Sequence, residues 1–179
     1  MRDISYRVAL GGIVSALCLV LMFLAGIMPA LYITLPMAAG ALLMIIVTEV
    51  SAGWGLLTYM AVGLLSMFMI ADKEAALLFV MIVGHYPVVR SYIDRLKFKW
   101  LRTALKLAVF NICAVSFYYV TVYLFGIQQM LEEMKEFGKY GAVILLVLCN
   151  FLFLLYDFLL DTLCIIYIKR MKPRFKRKN

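Results

Sequence analysis

Residues 8–28 read VALGGIVSALCLVLMFLAGIM and hold no charged side chain. About 20 consecutive apolar residues are what a helix needs to cross the hydrocarbon core of a bilayer. Five more apolar stretches follow, at 35–50, 53–71, 75–93, 102–125 and 140–168, separated by short charged joints. The pattern predicts an all-α, polytopic membrane protein with six transmembrane helices. Hydrophobic residues make up 66% of the 179, and the mean hydropathy is +0.99. A soluble domain has no interior large enough for that much apolar surface, whereas lipid accepts it. The six spans use most of the length, so residues 1–179 read as one integral membrane domain, with no room for a soluble catalytic or nucleotide-binding module.

The basic residues fix an expected orientation. They gather at the amino terminus, in the region 95–106 and in the tail 169–179. The first, third and fifth joints hold only Lys73, Lys135 and Lys139. By the positive-inside rule both termini are expected in the cytoplasm, with the protein multi-pass in the cell membrane. The net charge of +8 then reflects cytoplasmic loops and anionic lipid headgroups rather than nucleic acid. The tail after the last span reads as a topology anchor. Arg2 and Arg7 before the first span resemble a signal peptide, but the apolar run is too long and no small-residue cleavage site follows, so a retained helix is expected. The polar segment 128–139 is expected to form a short interfacial helix.

Cys18, Cys113, Cys149 and Cys164 all lie inside apolar runs without metal-ligand or redox spacing, and read as small hydrophobes. No HExxH, GxSxG, phosphate-binding loop or paired-aspartate motif occurs. Neither an enzyme nor a bound metal or cofactor is expected.

Polar groups inside a bilayer are costly and so become functional candidates. At a rise of about 1.5 Å per residue, Glu49, Arg90, Asn111 and Asp157 come to similar depths in the inner half. Two readings of this cluster stay open. In one, Arg90 is neutralised by Asp157 or Glu49 and locks helices together; in the other, the group relays a proton or ion. Asp161, one turn further on, is expected to meet Lys169 or the basic joint. In the outer half, Asp72, Lys73 and Glu74 mark the mouth between the third and fourth spans. Tyr118, Tyr119, Tyr123, Tyr140 and Asn150 lie at neighbouring depths. Aromatic rings with polar tips beside mixed charge suit a small, flat, partly polar ligand, or an aromatic belt at the lipid interface. His85, the only histidine, stands before Tyr86 and Pro87 where the fourth span should kink, and reads as a structural hydrogen bond or a ligand contact. In the first span Gly12 and Ala16, with Gly11 and Ser15 beside them, give a small-residue face suited to close helix contact.

Six spans in under 200 residues, with the face Gly12-Ile13-Val14-Ser15-Ala16, together resemble the S component of energy-coupling factor transporters. These membrane subunits capture vitamins or metal ions for ATP-driven uptake in prokaryotes. The resemblance implies that the face around Gly12, Ser15 and Ala16, with glycine in place of the family's first alanine, docks on a transmembrane coupling subunit joined to ATPase subunits. It implies an outward-facing pocket for a small organic substrate at Asp72, Lys73, Glu74, His85, Tyr118, Tyr119 and Asn150. A metal substrate is less expected, because no metal-binding amino terminus is present. The rival reading is a structural or assembly membrane protein without substrate, and a third is a small stand-alone ion-coupled carrier.

Overall fold

The computed structural model describes residues 4–126 and 140–171, and every described element is helical. The expected interfacial helix at 128–139, Arg2 and most of the basic tail lie outside the described residues. Helix α1 (Ile4–Ile27) is followed by a single tight turn at Pro29–Leu31 and then by α2 (Thr34–Glu49) and α3 (Ala52–Met69). A fourth span is built in pieces: α4 (Lys73–Leu78), a π-helical turn at Phe79–Val83, and α5 (Tyr86–Ile93). Helix α6 (Lys99–Tyr119) also ends in a π turn, Val120–Leu124, and α7 (Gly141–Ile166) in another at Tyr167–Met171.

Five of the expected spans are long and apolar enough to cross a membrane: Ile4–Ile27, Ala52–Met69, Lys73–Ile93, Lys99–Leu124 and Gly141–Lys169. The remaining one, α2, is a 16-residue apolar helix. At 1.5 Å per residue it is about 24 Å long, shorter than the roughly 30 Å hydrocarbon core.

Local chemistry explains the boundaries. The Ser51 hydroxyl accepts a hydrogen bond from the Trp54 amide and caps the start of α3. Asp72 does the same for α4, its carboxylate accepting from the Glu74 and Ala75 amides at 3.0 and 3.1 Å. Lys73 donates to the carbonyls of Met67 and Ile70, both at 2.8 Å, and so satisfies the end of α3. Pro87 sits in the first turn of α5, where its missing amide hydrogen costs nothing. The fourth span does break near His85 as expected, but through the π turn that precedes Gly84 as well as at the proline.

Two apolar clusters hold the helices. One joins α1, α2 and α3 through Val14, Cys18, Leu43, Ile46 and Val62, with Phe79 from the π turn. Here the Cys18 thiol donates to the Ala39 carbonyl at 3.3 Å, consistent with a buried hydrophobe. The second joins the fourth span to α6 and α7 through Val83, Tyr86, Phe110, Phe153, Tyr156 and Leu160. Helix α2 touches both, and Gly40 lets it do so. A Cβ there would lie 2.5 Å from Val83 Cγ1 and 2.7 Å from the Tyr156 hydroxyl oxygen, closer than carbon atoms tolerate.

Candidate functional site

The charges of α5, α6 and α7 converge on one buried network. Arg90 is 1% exposed. Its Nε lies 3.1 Å from Asp94 and 3.3 Å from Asp157, and its Nη2 pairs with Asp161. The Lys106 ammonium completes the ring at 3.0 Å from both Asp94 and Asp157. The Tyr86 hydroxyl donates to Asp157 at 2.6 Å. Three carboxylates thus face two cations, and Asp157 accepts from Tyr86 and Lys106 while its carboxylate also ion-pairs with Arg90. Burial strengthens the interactions of Arg90, Lys106 and Asp157, and it also makes the loss of one of these partners expensive.

Arg90 pairs with Asp157, while Asp161, expected at Lys169 or the basic joint, meets Arg90 instead; two members of the expected cluster are placed differently. Asn111 does not join the charges. It forms a reciprocal amide pair with Asn150, at 2.9 and 3.0 Å, between α6 and α7. Helix α6 starts at Lys99, three residues before the expected boundary. Glu49 ends α2 with both carboxylate oxygens sealed from solvent, and the ion-pair partners of Arg90 are aspartates instead. Lys106, Asp94 and Tyr86 are the members the sequence reading missed. Lys106 had been grouped with the basic joint by composition. The antiparallel register offered a signal, because pairing Asn111 with Asn150 places residue 106 level with residue 155, within a turn of residue 157 on the neighbouring helix.

Directly beyond the network lies a cavity of about 240 Å³, walled by the first turns of α2, the fourth span, α6 and α7. Phe110 and Phe153 stack with ring centroids 4.3 Å apart, and Tyr86 meets Phe153 edge-on at 4.9 Å. Tyr156 closes the wall beside Gly40. Its hydroxyl is buried and has no hydrogen-bond partner among the described residues. Glu74, Tyr32 and Cys149 supply the remaining polar atoms of the lining. Tyr86 belongs to both structures: its ring is cavity wall and its hydroxyl is bonded to the network.

Of the side chains expected to contact substrate, Glu74 is the one that lines this cavity. Asp72 and Lys73 are occupied as helix caps. Tyr118 packs edge-on against Tyr119, which stacks on Tyr123 at 5.6 Å; Tyr119 and Tyr123 are exposed. The three rings form a ladder along the end of α6 and its π turn. Asn150 is engaged by Asn111, and Tyr140 is exposed. His85 packs against Tyr59 and approaches the Cys113 sulfur at 3.5 Å, away from the cavity lining. On α1, Val14 and Cys18 face the core, while Gly12 and Ala16 are exposed and Ser15 is half-buried. A Cβ on Gly12 would meet nothing within 4 Å. Among the described residues no group of three or more His, Cys, Asp or Glu side chains is placed to hold a metal ion. No protein-family model matches the chain, and no curated protein or solved structure matches it.

Proposed function

We propose that this protein is the substrate-capture subunit of a prokaryotic ATP-driven uptake transporter in the cell membrane, binding a small organic, vitamin-like solute and catalysing no reaction itself. The observation that carries the reading is the cavity itself, walled by the stacked Phe110 and Phe153 rings with Tyr32, Glu74 and Cys149 among its polar lining. At about 240 Å³ the site is small against the roughly 300–1,000 Å³ of drug-sized pockets, which suits a compact solute.

Two further observations support the reading. The face carrying Gly12 and Ala16 is turned away from the protein's own core, as a surface for another transmembrane subunit requires. The sequence carries no nucleotide-binding motif, so in this proposal energy comes from partner ATPase subunits. In this proposal both termini are cytoplasmic, α2 completes a sixth span despite its length, and the lipids around the exposed apolar faces are the remaining partners.

The test is to purify the tagged protein from its native membrane in mild detergent and identify by mass spectrometry what accompanies it. Co-purifying coupling and ATPase subunits, lost when Gly12→Leu and Ala16→Leu are combined, support the proposal. A wild-type protein that brings neither subunits nor a retained small molecule refutes it.

One observation favours a second reading. The ion-pair network ties α5, α6 and α7 together, which is what a structural or assembly protein without substrate needs. That reading predicts that changes in the cavity wall leave the cell's solute uptake unaltered.

A further inference from the structure

The chain's one histidine meets a cysteine from another helix inside the apolar bundle. His85 Nε2 lies 3.5 Å from the sulfur of Cys113 on α6, 28 positions away in the sequence. The π turn brings them together. In a regular α-helix the Gly84 amide would bond to the Val80 carbonyl. Here it bonds to the Phe79 carbonyl at 2.7 Å, one residue further back. The extra residue turns His85 relative to α4 and leaves the Val80 carbonyl to side chains. The Tyr59 hydroxyl donates to that carbonyl at 2.7 Å, and the His85 ring bonds to it as well. Tyr59 is itself seated on Gly84, where a Cβ would lie 2.8 Å from its ring. It meets the imidazole edge-on with centroids 6.2 Å apart. A ring nitrogen that donates to a carbonyl leaves the other with its lone pair, and Nε2 is the one that faces sulfur. Metal-binding histidines are held in this way, with one nitrogen on a carbonyl and the other on the ion.

We propose that His85 and Cys113 form a two-coordinate site for a thiophilic, closed-shell monovalent cation, Cu(I). Thiolate sulfur and imidazole nitrogen both suit this ion. Charge selects the valence. On binding, the Cys113 S–H bond breaks, its proton leaves to the buffer, and a sulfur–metal bond forms. Thiolate, neutral imidazole and a monovalent ion then sum to zero. A neutral unit is tolerated within an apolar span, whereas a divalent ion would leave a net charge there. Zinc also takes four ligands, and among the described residues no group of three or more ligating side chains is placed to hold an ion. Bonds of about 2.3 Å to sulfur and about 2.0 Å to nitrogen span about 4.3 Å in line, so a side-chain opening of under about 1 Å admits the ion. Neither residue belongs to the cavity lining, so this inference stands apart from the capture reading.

The full-length protein in lipid nanodiscs, reduced and kept free of oxygen, is titrated with Cu(I) presented as its coloured ferrozine complex. Wild type is expected to withdraw copper, and Cys113→Ser to withdraw one ion per chain fewer. His85→Gln should weaken binding by about tenfold or more, since changes even one shell outside a metal reach about 10–100-fold. Circular dichroism of each variant checks that its helices persist. X-ray absorption at the copper edge, on wild type loaded with one ion per chain, reads the ligands without any substitution. One sulfur and one nitrogen at bonding distance are expected. A wild type that leaves copper with ferrozine, a Cys113→Ser protein that binds as much as wild type, or a copper shell of sulfur alone overturns the inference.

Discussion

Replacing Arg90 with Gln tests whether the charged network holds the helices together. Arg90 is 1% exposed and pairs with three carboxylates contributed by α5 and α7. These carboxylates do not suffer equally when it is removed. The Asp161 side chain is 58% exposed and can turn into water, so it loses little. Asp94 is 33% exposed and keeps Lys106 at 3.0 Å. Asp157 is 18% exposed and keeps Lys106 and the Tyr86 hydroxyl. Breaking a buried pair by removing one partner costs about 3–5 kcal/mol. Because Lys106 still compensates two of the three acids, the lower end, about 3 kcal/mol, is expected. Reversible unfolding in mixed micelles, with increasing denaturing detergent, measures the difference. The double variant Arg90→Gln with Asp157→Asn removes both a charge and its counter-charge. It should therefore be less destabilised than the sum of the single changes by about 1–3 kcal/mol. An Arg90→Gln protein within about 0.5 kcal/mol of wild type refutes the lock. If Asp157→Asn then leaves the fold intact and abolishes transport, the network acts as an ion relay instead.

Three more outcomes follow from particular contacts. Gly40→Ala places a methyl group against Val83 and Tyr156; overpacking of this kind costs about 1–3 kcal/mol, and the same unfolding assay should show it. Asp72→Ala removes the cap of α4; a loss of about 1 kcal/mol in the same assay is expected. Asn111→Leu alone leaves the Asn150 amide without its partner and should cost about 0.6–1.7 kcal/mol. Asn111→Leu with Asn150→Leu should recover part of that, and a double variant worse than the sum of the singles would refute the pairing.

Much of the architecture was readable from composition and spacing, because lipid imposes simple rules. Uncharged runs such as 8–28 must become helices, since the bilayer core satisfies no backbone polar group outside one. The helix at 140–168 and the break near Pro87 follow from the same reasoning. The site was less legible. Asp72 and Lys73 looked like ligand contacts, but helix ends bring their own unsatisfied amides and carbonyls, and the nearest polar side chains are taken by them. Tyr118, Tyr119 and Asn150 were assigned by depth alone. Depth does not reveal the direction a side chain faces around the helix axis, and that angle put Tyr119 on the surface and Asn150 against Asn111.

By itself, then, the sequence determined that this is a helical membrane chain, where its long apolar helices run, and that a few polar groups would be confined among them. Only the tertiary structure decided which of those groups meet. Lys106 became a buried partner of Asp94 and Asp157 because α6 packs antiparallel to α7. Tyr86 came to join the network to the cavity because the π turn at Phe79–Val83 sets the rotation of α5. The physical reason is that membrane insertion depends on hydrophobicity summed over about 20 residues. A hydrogen bond or ion pair instead depends on ångström distances between residues far apart in the chain.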